Sequence, residues 1–459
     1  MKNNSLPLGG LIILDKIDKE YCFFQSVFKG ISGRMKDFIP LVKLHIYNKL
    51  THSVSVHQIL ETYSYELMEH LNADKNLSER TLYRGLERIG KNFNLLHNNY
   101  QQFLKEKNFL DDKQVTDFSS FYVEGKESEL SEHGYSRDRR PDKEQINFGI
   151  STGINGIPSA LTIQKGNVED KTHMREMLNL VDKILPEKSL LIFDAGANSK
   201  SNKDKIISIG YNYLTLKQKN VRAYKNYIRY FSKQREEAKS FIQNDRDYSC
   251  IKIRDDNFKY IFFCSQLCND QLSKKEKLFE KQKEKGNKSI DKKKFQRLPS
   301  DKGWIEFIPH LQSTLSDIEN PYITGIEGFF VLESSVDADP EEILRLYKER
   351  DKAEKFIRNL KEGLELRPMR HWNKYSIIGM IFICFITNFL ISLTLKLAKN
   401  PLIKNVKLLK KFMINLTLTM VYPKNRFRFT ILSNVSPQIR GLFDDFLEKY
   451  HDKSLELRW

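Results

Sequence analysis

Ser189-Leu190-Leu191-Ile192-Phe193-Asp194 is the stretch that decides the fold. A short apolar run that stops at a carboxylate reads as a central strand, buried on both faces and carrying Asp194 at its end. The chain on either side agrees. Before it, Asp170 to Leu185 has the pattern of a helix. Before that come three strands, Val115–Val123, Gln145–Thr152 and Ile157–Ile163. The last two are joined at Asn155-Gly156, a strong two-residue hairpin turn. After it, Ser201–Ile209 reads as a helix and Tyr211–Leu216 as a strand. The order β-β-β-α-β-α-β predicts an α/β fold, a mixed sheet flanked by helices.

The second informative stretch lies near residue 350. Tyr347, Arg350, Glu354 and Lys361 are spaced Y-x2-R-x3-E-x6-K. At about 100° per residue they fall at roughly 0°, 300°, 340° and 320° around a helix, on one narrow face. That face sets one carboxylate between two cations and a phenol. Leu346, Ile357, Leu360 and Leu364 mark a second, core-facing side. Asp339 and Pro340 read as N-cap and first helical residue, and Gly363 falls near the end, before Pro368.

The chain has 459 residues, a formal net charge of +17 and a pI near 9.3. That length suits two to four domains. Such an excess of cations favours a polyanionic partner, nucleic acid first. The start Met1-Lys2-Asn3-Asn4 has no apolar segment of a secretory signal, and five scattered cysteines fit a reducing cytoplasm rather than a disulfide framework. Cys264-x3-Cys268 has no second ligand pair nearby and is read as structural. Ser376 to Leu395 carries no formal charge over 20 residues, a membrane-spanning length. Its interspersed Ser, Thr, Asn and Gly, with no second such segment, favour a buried core helix and no membrane contact.

Residues 1–110 read as mostly helical, with apolar positions at helical spacing across 54–71 and a basic helix across 77–89. Arg80, Arg84 and Arg88 share one face at i, i+4, i+8. Two readings stand, a helix-turn-helix that binds DNA or a plain helical bundle. Residues 220–320 interrupt the α/β core. Cys250–Arg254 and Phe258–Phe263 read as a hairpin around Asp255-Asp256-Asn257. From Lys274 to Arg297 there are eleven Lys or Arg against four acids, a DNA-contacting arm or a solvated helix. Phe329–Val336 returns as a strand, and helices over 370–459 should cover the sheet. The domains expected are a helical DNA-binding domain at 1–110, the two parts of the core at 111–219 and 321–459, and an insertion at 220–320.

The strand order is that of an RNase H-like fold, in which strands one and four are neighbours. Asp117, in the first, would then stand beside Asp194, with Glu354 arriving from the packed helix. Converging carboxylates repel unless a cation binds, and their hard oxygens suit Mg²⁺ or Mn²⁺. Two ions roughly 3.5–4 Å apart could serve an attacking and a leaving oxygen.

On these residues the chain resembles a DDE-type insertion-sequence transposase of the group with a Y-R-E-K signature. Further matches are His133-Gly134-Tyr135-Ser136-Arg137-Asp138, Gly166-Asn167-Val168-Glu169-Asp170, and Arg367-Pro368 before His371-Trp372. The likeness spans about residues 113–390. It implies that Asp117, Asp194 and Glu354 are catalytic metal ligands for Mg²⁺, with Mn²⁺ able to substitute. It implies that Arg350 and Lys361 grip DNA phosphates and Tyr347 contacts one near the scissile bond. Water would attack at each end of the element, and the freed 3′-OH would attack target DNA without a covalent protein–DNA intermediate. The partners implied are double-stranded DNA, at element ends and target, and a second copy of the chain, in the nucleoid of a prokaryotic cytoplasm. The alternatives are a stand-alone RNase H-like nuclease and a non-catalytic DNA-binding regulator.

Overall fold

A computed structural model describes residues 2–31, 38–74, 77–124, 128–291, 297–300, 303–306, 320–398, 406–422, 429–443, 447 and 450. Of the lysine-rich run, residues 292–296 lie outside the described residues. The chain forms two compact units, residues 1–191 with 349–459, and residues 192–348. The strands and helices from 113 to 216 follow the predicted order. They are Lys113–Tyr122, Gln145–Gly153 and Pro158–Lys165, the helix Asp170–Val181, the strand Leu190–Phe193, the helix Lys200–Ser208 and the strand Asn212–Leu216. The molecule is a mixed α/β protein with an RNase H-like order.

In the first unit the three strands from 113 to 165 pair antiparallel, with Gln145–Gly153 in the middle and buried along its whole length. Gly149 is required there: a Cβ would lie 2.6 Å from the Phe118 ring and from Thr162 Oγ1. The Asn155-Gly156 turn forms as predicted. Gly156 has φ +82° and its N–H donates to Gly153 O at 2.8 Å.

The core of this unit is built on the helix Lys374–Leu397. Its apolar stretch is long and uncharged enough to cross a membrane, yet 89% of that window is buried inside the protein. Phe382, Phe385 and Phe389 pack with Phe23, Phe28, Phe93 and Tyr100. The helix Glu79–Lys91 crosses it so closely that glycine is needed on both. A Cβ at Gly90 would lie 1.9 Å from Tyr375 O, and one at Gly379 would lie 2.1 Å from Leu86 O. The N-terminal helices also tie to the sheet. From the helix Phe93–Glu106, Tyr100 Oη donates to Pro158 O at 2.5 Å and Gln101 Nε2 to Ser159 O at 3.2 Å. Leu161 N–H donates to His97 Nε2 at 3.0 Å.

Two expectations for this unit are corrected. The residues 54–71 do not form one helix but three short pieces, Val56–Gln58, Ile59–Thr62 and Tyr65–His70. Tyr63 causes the second break: it is extended and buried, its hydroxyl donating to Asn48 Oδ1 at 2.8 Å. The N-terminus is not all helical either. Lys2–Pro7 is a strand, paired antiparallel with Thr417–Tyr422, which pairs in turn with Phe429–Ser433.

In the second unit the strands lie in the order Asn212–Leu216, Phe329–Ser334, Phe258–Cys264, Arg246–Arg254, Lys239–Gln243. The insertion therefore adds strands to the edge of Phe329–Ser334. Cross-strand aromatic pairs hold the join, Phe262 with Phe330 at 5.0 Å and Phe263 with Phe329 at 4.7 Å between ring centroids. The helix Ser265–Asp291 follows directly on the strand Phe258–Cys264 and carries the lysine-rich run from Lys274 to residue 291.

Candidate active site

Asp339 caps the signature region as predicted, its Oδ1 accepting from Glu341 N–H at 3.0 Å. The single helix expected from Pro340 to Leu364 is not formed. One helix, Pro340–Lys348, ends before Arg350; a second runs Asp351–Arg358; a wider π turn covers Asn359–Gly363. Around the break the backbone tightens to i−3 bonds, Lys352 N–H to Glu349 O at 2.9 Å and Ala353 N–H to Arg350 O at 3.1 Å. The four signature side chains therefore do not share one helical face. Tyr347, half-buried, lies on the helix that belongs to the second unit, whereas Arg350, Glu354 and Lys361 belong to the first.

Within the first unit Asp117, Arg350 and Glu354 converge. Asp117 lies mid-strand opposite Ile150, between the buried side chains of Thr116 and Phe118. Arg350 Nη1 is 3.7 Å from Asp117 Oδ1, and its Nη2 is paired with Glu354 Oε1. One planar cation thus bridges two carboxylates, the arrangement their mutual repulsion demands. The Asp117 and Glu354 groups that face this cation are hard carboxylate oxygens, the chemistry of a Mg²⁺ or Mn²⁺ ligand set.

Lys361 departs from expectation. It is buried, with 8% of its side chain exposed, and its Nζ lies 2.9 Å from Asp138 Oδ1; Asp138 is itself 2% exposed. Burial lowers the lysine pKa, and the Asp138 carboxylate opposes that shift without cancelling it. Arg367 Nη1 reaches the same Asp138 oxygen at 2.6 Å. The neighbouring Arg137 Nη2 donates to both oxygens of Asp170 at 2.6 Å each. Gly134 and Gly166 bring their backbones together, since a Cβ on Gly134 would lie 1.9 Å from Gly166 O. Asn147 Nδ2 donates to Gly166 O at 3.1 Å and Val168 O at 2.8 Å. The His133–Asp138, Gly166–Asp170 and Arg367-Pro368 motifs are therefore bound to one another and to the signature lysine. Asp138, Arg137, Asp170 and Arg367 are the residues that sequence reasoning left without roles. Their only signal was membership of those motifs.

Two buried lysines close the π turn. Lys49 Nζ donates to Leu364 O at 3.0 Å, and Lys410 Nζ to Gly363 O at 3.0 Å and Ser53 Oγ at 2.7 Å. Cations at a helical C-terminus answer the unpaired carbonyls there. Burial pulls the Lys410 pKa down to about 8.

In the second unit Asp194 follows the strand Leu190–Phe193 as predicted. Its Oδ1 accepts from Gly196 N–H at 2.9 Å and Ala197 N–H at 3.3 Å, and Thr215 Oγ1 donates to its carbonyl at 3.2 Å. These bonds fix the carboxylate on a tight turn. Among the described residues no three His, Cys, Asp or Glu side chains gather closely enough to hold a metal ion. Of the N-terminal arginines, Arg80 and Arg84 are exposed, while Arg88 is half-buried with its guanidinium 4.5 Å over the Phe38 ring. Their helix packs one side on Lys374–Leu397.

The family model for the transposase DDE domain matches residues 111–388, more than half of the chain. The chain belongs to this family. It is a DDE transposase, an enzyme of DNA transposition whose family uses divalent metal ions. Among solved structures, the piggyBac transposase in a synaptic complex with hairpin DNA is similar over 90% of this transposase and 82% of that chain, at a TM-score of 0.43 and 8% identity. No curated protein sequence matches it.

Proposed function

We propose that this transposase binds the terminal inverted repeats of an insertion sequence, hydrolyses a phosphodiester at each end and joins the freed 3′-OH to target DNA. The observation that carries the reading is the Arg350 guanidinium held between Asp117 and Glu354. It marks a place in the first unit where two hard-oxygen donors face one cation. Asp117, Glu354 and Asp194 would hold the divalent ions, Mg²⁺ with Mn²⁺ as substitute. When bound, such ions activate an attacking oxygen and offset charge on a leaving one.

The chain's own residues do the rest. Arg350, with its planar fork, turns from carboxylate to DNA phosphate as the substrate enters. Tyr347 contacts the backbone near the scissile bond. Arg80 and Arg84, exposed on one helix, grip the element end. Lys361 acts as a positioning residue through Asp138, fixing the segment that carries Glu354. Two copies of the chain pair the two ends, in the cytoplasm of a prokaryotic cell.

The test is cleavage of DNA carrying the gene's flanking repeats, with Mg²⁺ or Mn²⁺. Cutting at the repeat boundary, lost in Asp117→Asn and with EDTA, is the expected result. Metal-dependent cutting without end preference would replace the reading with a stand-alone nuclease. Sequence-selective binding with no cutting would replace it with a regulator.

A further inference from the structure

The second unit contains a basic pocket of about 720 Å³ that none of the roles above uses. Lys200, Lys203, Lys217, Lys219 and Arg222 line it, with Glu333. Glu333 is buried, and burial pushes its pKa up. The hydrogen bonds from Lys217 and Asn198 and the charge of Lys203 outweigh that and hold it at about 2. Lys217 Nζ lies 2.8 Å from Glu333 Oε1, and Lys203 Nζ and Asn198 Nδ2 lie 3.0 and 3.1 Å from Oε2. This one carboxylate fixes two ammonium groups and leaves the wall strongly positive, five cations against one anion. Lys200, Lys219 and Arg222 are exposed on its rim.

Three further features define what the pocket would take. The helices Lys200–Ser208 and Val221–Lys233 both begin on this wall, at Ser199 and Asn220, and add partial positive charge to that of the side chains. Among the described residues no aromatic side chain lines it, so they offer no stacking platform for a base. Asn198, on the wall, also donates to Leu216 O and belongs to the turn that Asp194 opens. A wide, cationic, non-aromatic pocket recognises charge and not base identity.

We infer that this pocket is a phosphodiester-backbone subsite, which seats consecutive phosphates of a DNA strand without reading sequence. The inference rests on the transposase reading above and adds to it a specific DNA contact in the second unit. Glu333 is a positioning residue that holds Lys203 and Lys217 upright for phosphate. The three rim cations supply the mobile part of the grip.

The experiment is a salt series of DNA affinity, by fluorescence anisotropy, for the full chain and three random-sequence duplexes. The variants are Lys200→Ala/Lys219→Ala/Arg222→Ala, Glu333→Gln, and a control, Lys29→Ala/Lys105→Ala/Lys107→Ala, on exposed lysines of the first unit. Each lost phosphate contact removes about 0.9 from the slope of log affinity against log salt. The rim triple should therefore lower the slope by about 2 to 3 and weaken binding about tenfold or more, equally for all three duplexes. Unchanged melting temperature would show that it folds. Glu333→Gln should give a smaller loss of the same kind, and the control none. The inference is overturned if the rim triple keeps the native slope and affinity, or if it loses only the binding of inorganic phosphate, measured by calorimetry. A loss confined to one duplex would also overturn it, since the pocket would then be reading bases. If the native chain binds no DNA at all, the transposase reading falls and this inference with it; native binding with an unaffected triple sinks the pocket alone.

Discussion

Lys361 offers the sharpest test of how the signature works here. A signature lysine at the protein surface would serve DNA, and its loss would leave stability alone. In this structure it is buried on Asp138, with 8% and 2% of the two side chains exposed and 2.9 Å between charged atoms. At an effective dielectric near 20 their attraction is about 6 kcal/mol, against which the desolvation of both groups must be set. Removing one partner of such a pair costs about 3–5 kcal/mol, because the other charge stays buried. Arg367, 2.6 Å from the same oxygen, remains in Lys361→Met and limits the loss. The expected destabilisation is thus about 3 kcal/mol. Lys361→Met/Asp138→Asn should recover part of it, giving a coupling energy above about 1 kcal/mol in a double-mutant cycle. Urea denaturation followed by circular dichroism measures stability, and a salt series of DNA affinity measures phosphate contact. Lys361→Met that folds with native stability but loses about one unit of salt slope would refute the reasoning and return the lysine to DNA.

Other consequences follow from the core. Burial lowers the pKa of His97 and His173 to about 3 and of His45 and His371 to about 4, with nearby cations adding to it. Unfolded histidine titrates near 6.5, so the unfolded chain takes up these protons first and stability falls as pH drops from about 6.5 toward 3. His97→Gln should remove about one proton from that slope, up to about 1.4 kcal/mol per pH unit, in acid denaturation profiles; an unchanged slope would show that His97 is protonated in the folded state. Lys410, with its pKa near 8 against 10.5 unfolded, works in the alkaline range. Between those values the unfolded state holds the extra proton, so stability should rise with pH from 8 to 10.5 by about 3 kcal/mol, a rise absent in Lys410→Met. Gly379→Ala gains helix propensity of about 1 kcal/mol yet forces a methyl to 2.1 Å from Leu86 O, so a net loss of about 2–3 kcal/mol is expected in thermal melts.

Much of this was legible in the chain. The alternation of 115–123 and 145–163, the Asn155-Gly156 turn and the apolar run before Asp194 state their periods locally, and each element forms where it is predicted. The uncharged stretch 376–395 was recognisable as a core helix because its Gly, Ser, Thr and Asn suit close packing. Three features were not legible. Lys2–Pro7 pairs with Thr417–Tyr422, and a short polar edge strand carries no period of its own. The breaks at Tyr63 and at Glu349-Arg350 come from tertiary hydrogen bonds and ion pairs that override helical spacing. A helical wheel assumes one helix, so it placed Lys361 on one face with Glu354, whereas the π turn and the pull of Asp138 bury it. The convergence of Asp117 with Glu354 was readable as an expectation, but the bridging role of Arg350 needed the structure.

Strand joining tests the central claim most directly. A pre-cleaved duplex ending in the element's own repeat, with a free 3′-OH, is incubated with supercoiled plasmid, a divalent metal and either the native chain or Glu354→Gln. The account predicts that the native chain links the labelled end covalently to plasmid, and that Glu354→Gln binds the duplex but joins nothing. Plasmid nicking without incorporation of the label by the native chain, or full joining by Glu354→Gln, would contradict it.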